Sequence, residues 1–387
     1  MLSARTTWDL RPNRLSRILA GKRNAGVALL DLTESNPTRV GIPCPEDVLA
    51  PLADPAGRVY DPTPLGLPAA RAAVASDLAR RGTRLGPDRV VLTASTSEAY
   101  AFLFKLLCDA GDDVLVPRPG YPLFDFLAGL EGVRPRRYTL ERDGGWRLDV
   151  DSVRAALTPR TRAVVLVSPG NPTGTYLKVD ERQALEALAA ERGLALVADE
   201  VFFDFPFRDD PRRATLAHDG PALAFTLGGL SKSCGLPQLK LAWIAVTGPE
   251  RERVEAMARL EVVADTYLSV STPAQRALPA LLAGREERQG LLRARLEGNL
   301  HALRGKVGPT SPATLLEPEG GWYAVLQVPA TRTEEERVVG LLEARDVLVH
   351  PGYFFDFPRE AYIVVSLLPE PAVFVEAIAR VLDDLVL

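Results

Sequence analysis

From about position 89 to 247 the chain alternates short apolar, β-branched runs with longer amphipathic stretches. The runs at 90–93, 113–116, 163–167, 194–198, 223–227 and 241–246 read as strands. Between them, 97–107 and 180–192 read as helices. This alternation predicts an α/β large domain whose mainly parallel sheet is flanked by helices on both faces. Ligands in such sheets bind beyond the carboxyl ends of the strands.

Past Gly248 the pattern changes. Positions 250–268 and 272–305 are helical, long and laced with charge. The last hundred or so residues mix helix and strand, at 322–328, 334–345, 362–367 and 371–385. A second, smaller α+β domain is expected, with 46–284 forming the large domain and 1–45 plus 285–387 the small one. No low-complexity linker and no domain-scale repeat interrupts the chain. The pentapeptide Phe-Phe-Asp-Phe-Pro occurs twice, at 202–206 and 354–358, in unrelated flanks.

Composition narrows the class. The 387 residues suffice for two domains with their own cores. Hydrophobic content of 47% beside 25% charged residues belongs to a globular chain. A net charge of −4 makes no electrostatic case for nucleic acid. No apolar run reaches the roughly 18 residues of a membrane span, and positions 1–13 lack an apolar signal core. A cytoplasmic protein that binds neither membrane nor nucleic acid is expected. Cys44, Cys108 and Cys234 are scattered, and His218, His301 and His350 are isolated, so neither a disulfide framework nor a metal site is suggested.

Basic residues are mostly arginine, with only six lysines. One of them, Lys232, lies in the glycine-rich segment Gly229-Leu230-Ser231-Lys232-Ser233. Lysine, unlike arginine, can lose its proton when desolvated and form a Schiff base. Upstream, Asp199 ends the apolar run 193–198, and Asn171 follows the run 163–167 in Ser168-Pro169-Gly170-Asn171-Pro172-Thr173-Gly174. An amine, a carboxylate and an amide near strand ends can hold pyridoxal phosphate: the lysine as imine, the carboxylate on the pyridinium nitrogen, the amide on the ring oxygen.

With these motifs in this order, the chain from Asp31 onward resembles the class I/II aminotransferases of the fold-type I pyridoxal-phosphate enzymes. The resemblance implies that Lys232 shuttles the proton between the substrate α-carbon and the cofactor. It implies that Asp199 keeps the ring protonated and that Tyr121 stacks on the ring. Ser95, Thr96 and Ser97, opening a helix after a strand, match the phosphate site, and Ser231 and Lys240 match further cofactor contacts. Tyr60 matches a tyrosine that reaches the phosphate of a neighbouring subunit, which implies a homodimer with shared sites. Segment 10–42 is expected to pack with the small domain, and both pentapeptides to lie near the cofactor.

Four positions depart from the family pattern. Phe202 stands where a tyrosine hydroxyl usually bonds the ring oxygen. Lys240 replaces an arginine, and Gly229 replaces a phosphate-binding serine. Val364 stands where an arginine usually forks onto the substrate carboxylate, and a valine cannot pair a carboxylate. Arg39, on the loop after Asn36-Pro37-Thr38 that should cover the site, and Arg359 are the candidate replacements.

The expected activity is transfer of an amino group between an amino acid and a 2-keto acid. A lyase, decarboxylase or racemase of the same fold is the alternative, kept open by Val364. A non-catalytic sensor is disfavoured because the 30 residues before Asp31 are too few for a winged-helix module. A nicotinamide enzyme is disfavoured because no G-x-G-x-x-G opens a helix after a strand. The sequence does not name the donor or acceptor.

Overall fold

The computed structural model describes residues 2–386. An eight-stranded sheet forms the larger half of the molecule. Its spatial order is Val90–Thr93, Ala242–Thr247, Ala224–Gly229, Ala195–Asp199, Thr161–Val167, Asp113–Arg118, Arg134–Arg142 and Trp146–Leu148. The four pairings between neighbours from Ala224–Gly229 to Arg134–Arg142 are parallel. Ala242–Thr247 runs antiparallel to both its neighbours, so Val90–Thr93 points the same way as the parallel set. The strands Val90–Thr93, Ala195–Asp199, Ala224–Gly229 and Ala242–Thr247 are buried along their whole length, which is why their sequences read as apolar runs.

Helices cover both faces. On one, Thr96–Leu107 and Glu250–Tyr267 pack Leu103, Phe104, Met257 and Leu260 against Val165, Val197 and Phe225. On the other, Val179–Arg192 packs Leu185 and Leu188 against Val164, Leu196 and Ala198. At the start of that helix the Lys178 N–H donates to Glu181 Oε2 at 2.8 Å, and at its end Gly193 takes the left-handed conformation at φ 63°.

A second, four-stranded antiparallel sheet has the order Thr314–Leu316, Tyr323–Gln327, Tyr362–Ser366, His350–Pro351. Its core takes in Leu296 and Leu300 of helix Arg285–Lys306, Leu341 of Glu334–Arg345, and Phe374 and Ile378 of Pro371–Val386. Leu15, Leu32 and Val40 from the N-terminal segment join the same core. The short strand Leu30–Asp31 pairs in parallel with Val347–Leu348.

The helical stretch expected over 272–305 is two helices, Thr272–Ala283 and Arg285–Lys306, divided at Gly284. The break has a packing reason. The first helix buries Ala277, Leu278 and Leu281 in a cluster with Val74 and Leu78 of helix Pro68–Ala79. The second turns away to serve the small-sheet core, while Arg285, 1% exposed, ion-pairs with Asp77 at 2.5 Å. No helix among the described residues is long and apolar enough to cross a membrane.

Candidate active site

The site assembles where the co-directional strands end. Asp199 is the last residue of its strand and is 7% exposed. Its register partners are Val167 on one side and Leu227 on the other. The segments leaving those two strands therefore carry Asn171 and Lys232 to either side of it.

Lys232 lies in the four-residue helix Leu230–Ser233, behind Ser231 and immediately after Gly229 ends its strand. A Cβ on Gly229 would stand 2.9 Å from Ala242 Cβ, and one on Gly228 would stand 2.5 Å from Trp243 Nε1. The neighbouring strand thus crowds out a side chain at Gly229, and the Trp243 indole does so at Gly228.

The Lys232 ammonium faces two rings, 4.7 Å from the centroid of Trp322 and 5.5 Å from that of Phe202. Burial pushes its pKa down to about 8, while the carboxylates of Asp199 and Glu34 hold it up. About a tenth of this amine is therefore neutral at pH 7, the form that attacks a carbonyl, against well under one in a thousand for an ordinary lysine. Burial raises Asp199 to about 6. Opposing that rise, Val201 N–H donates to Oδ1 at 3.1 Å and the Tyr100 hydroxyl donates to Oδ2 at 3.3 Å.

Asn171 Oδ1 is buried and has no hydrogen-bond partner, as is Oγ1 of neighbouring Thr173. A buried polar atom left unpaired is costly unless a ligand completes it. Tyr121, half-buried, packs edge-on against Phe124 at 5.7 Å. Burial, then the field of Asp199, pushes its hydroxyl up to about 12. Ser95 caps the helix Thr96–Leu107, its Oγ accepting the Glu98 N–H at 3.1 Å. Thr96 and Ser97 occupy the first turn, where backbone N–H groups lack intrahelical acceptors and attract anions. An enclosed amine, a carboxylate, an unpaired amide and a helix N-terminus together form a donor set that fits pyridoxal phosphate.

A family model described as aminotransferase class I and II matches residues 44–372. The chain belongs to this family. An alanine aminotransferase of Mycobacterium tuberculosis is 29% identical over 371 residues, 93% of this chain and 86% of that protein. The glutamate-pyruvate aminotransferase AlaA of Escherichia coli is 26% identical over 356 residues, 89% of this chain and 87% of its own. Among solved structures, an alanine aminotransferase from Pyrococcus furiosus superimposes with a TM-score of 0.89 at 23% identity, covering 100% of this chain and 99% of that one. The protein is a transaminase of fold type I.

Other anticipated residues of this aminotransferase are placed differently from one another. Phe202 is 5% exposed and packs edge-on against Trp322 at 5.4 Å and Tyr323 at 6.5 Å. Lys240 is exposed, with left-handed backbone at φ 49°. Tyr60 is 71% exposed and, with Gly66 and Leu268, lines a cavity of about 350 Å³. Asn36 accepts the Thr38 N–H at 3.0 Å and the Thr38 hydroxyl at 2.8 Å, so its amide oxygen holds its own loop. Arg39 is exposed on that loop. Arg359 is exposed too, its Nε 3.3 Å from the Tyr362 hydroxyl. Val364 is fully buried, paired in register with Val325 and His350, and the strand Tyr362–Ser366 offers no cation. The two pentapeptides converge on adjacent residues: Phe202 and Phe205 pack on Trp322, and Phe355 lies 6.3 Å from Tyr323.

Sequence reasoning missed Tyr100, although it lies four positions after Thr96 and so on the same helix face. It also missed a buried ionic cluster behind Lys232. Glu200, next to Asp199, accepts from the Thr215 hydroxyl at 2.8 Å and the Leu216 N–H at 3.0 Å, and lies 3.8 Å from Arg81. Arg81 pairs with Asp204 at 2.7 Å, and Arg285 reaches Asp204 at 3.6 Å. Gln289 Nε2 then bridges Asp204 Oδ2 at 3.0 Å and the Ser233 carbonyl at 2.8 Å, directly after Lys232. Burial raises Glu200 to about 7 and Asp77 to about 6. No local pattern announces such a cluster, because its members come from positions 77 to 289.

Proposed function

We propose that Lys232 carries pyridoxal phosphate and that the protein uses it to move an amino group between an amino acid and a 2-keto acid. The observation that carries this reading is the enclosed Lys232 amine, with a pKa of about 8, beside the buried Asp199 carboxylate. When bound, the cofactor supplies an electron sink for breaking a bond at the substrate α-carbon. Asp199 accepts a hydrogen bond from the ring nitrogen and holds its proton there. Asn171, unpaired in the protein's own hydrogen-bond network, bonds the ring oxygen. Tyr121 covers one ring face, and Phe202 bounds the ring without contributing a hydroxyl. Ser95, Thr96, Ser97, Ser231 and Lys240 meet the phosphate side. The Lys232 amine would carry the proton from the substrate α-carbon to the cofactor, and in the opposite direction when the keto acid is the substrate.

A homodimer is part of the proposal. Val59, Tyr60, Val262 and Tyr267 are large apolar side chains left 49–71% exposed, and Tyr60 from one copy completes the phosphate site of the other. The names of the relatives nominate alanine, glutamate and pyruvate as the first substrates to try.

Absorbance spectra of the reconstituted protein test the reading. Some amino donor should convert the cofactor's visible band to a pyridoxamine-like one, and a keto acid should restore it. A stably bound cofactor that no amino acid converts would contradict it.

A further inference from the structure

The loop after strand Leu30–Asp31 brings an acidic side chain toward Lys232. Leu32 is pinned on both sides: its N–H donates to the Leu348 carbonyl at 2.9 Å, and its own carbonyl accepts from Ser366 N–H at 2.7 Å. Ser366 in turn sits opposite Tyr323 in the small sheet. The chain therefore leaves Leu32 beside the aromatic strand that lines the site, and Glu34 follows two residues later. Glu34 Oε1 accepts the Asn36 N–H at 2.8 Å, which fixes the carboxylate over its own loop. Its field reaches both Lys232 and Tyr323.

Arg118 pairs with Asp356 at 3.3 Å, Arg81 with Asp204 at 2.7 Å, and Arg295 donates to the carbonyls of Val40 at 2.7 Å and Leu368 at 2.9 Å. Arg39, exposed five residues further along the same loop, is the candidate partner of the substrate α-carboxylate and so is not free for a second one. Val364 supplies no charge. What faces this corner is a carboxylate and a row of rings, with Phe202 6.5 Å from Tyr323, Tyr323 6.3 Å from Phe355, and Phe355 5.7 Å from His350. The one cation resting there, the Lys232 ammonium, lies against ring faces. A carboxylate beside aromatic faces attracts a positively charged group and repels a second carboxylate.

We propose that Glu34 is a specificity residue, which selects amino donors carrying a second positive charge on the side chain, an ω-ammonium or guanidinium group, over donors with an acidic side chain. The proposal rests on the reading of Lys232 as the reacting centre.

Three chain-matched acids, 6-aminohexanoate, hexanoate and adipate, test it by calorimetric binding to the borohydride-reduced holoenzyme, whose cofactor can no longer exchange with the amine of 6-aminohexanoate. The expected order is 6-aminohexanoate tightest, by about tenfold, as for a charge-assisted hydrogen bond, and adipate weakest. Glu34→Gln, checked for retained cofactor absorbance, should bring the three within about threefold of one another. Adipate binding best, or an order that Glu34→Gln leaves unchanged, would overturn the proposal even in an active transaminase. Failure of the protein to take up cofactor at all would overturn the underlying reading, and this one with it.

Discussion

The Tyr100 hydroxyl lies 3.3 Å from Oδ2 of Asp199, joining the helix Thr96–Leu107 to the carboxylate that ends the strand Ala195–Asp199. This bond lowers the Asp199 pKa against the burial that raises it to about 6. A carboxyl whose folded pKa exceeds its unfolded value favours folding at low pH. That contribution is lost as pH rises through the folded pKa. Removing the hydroxyl lifts the folded pKa further.

Tyr100→Phe should therefore destabilise the apoprotein by about 1 kcal/mol or more at pH 8, where Asp199 is ionised, and by less at pH 5. Urea unfolding at the two pH values checks this. An equal deficit at both would mean the hydroxyl does not act on the carboxylate.

The pKa of about 8 for Lys232 sets the pH at which it reacts. As a base with a depressed folded pKa, it burdens the fold while protonated. That burden is relieved as pH rises from about 8 through 10.5, the value of an ordinary lysine. The rate of aldehyde capture by the apoprotein, trapped with cyanoborohydride, should rise with a midpoint near pH 8. A midpoint above 10 would place the amine in water.

Arg81 counters Glu200 and Asp204 at once, at 3.8 and 2.7 Å. Arg81→Met leaves the buried Glu200 without a cation and Asp204 with Arg285 alone, and should cost about 3–5 kcal/mol. Gln289→Leu removes only neutral donors to Asp204 and to the Ser233 carbonyl, so it should cost less, about 1–2 kcal/mol. Denaturant midpoints of the two variants check the ranking.

Phe202 places a ring, but no hydroxyl, beside the Lys232 ammonium. Phe202→Tyr should supply the hydroxyl donor that this ring lacks and shift the pH titration of the bound cofactor's visible absorbance to lower pH. An unchanged titration would show that the ring's edge does not face the cofactor.

Much of this was legible along the chain because the central strands are buried on both faces, and such strands are plain apolar runs. The strand Val90–Thr93 and the helix Glu334–Arg345 have the bounds their patterns suggest. The strand Arg134–Arg142 was invisible for the opposite reason: near the sheet edge, it carries four arginines and a glutamate and buries only Tyr138 and Leu140. Helix Pro68–Ala79 hid in an alanine-rich stretch of weak amphipathicity. The lysine, aspartate and asparagine were legible because each closes or follows a strand. Tyr100, Glu34 and the Arg81–Asp204–Gln289 cluster were not, because their roles arise only when distant elements pack. Gly229 lacks a side chain because of its neighbour Ala242 across the sheet, which no reading of its own segment reveals.

Whether Lys232 is the lysine that holds pyridoxal phosphate can be read by reconstitution with the cofactor, reduction with borohydride and peptide mass mapping. One stoichiometric adduct is expected, on the peptide containing Lys232, and none after Lys232→Ala. Stoichiometric label on Lys240, on any other lysine, or on none would contradict that assignment.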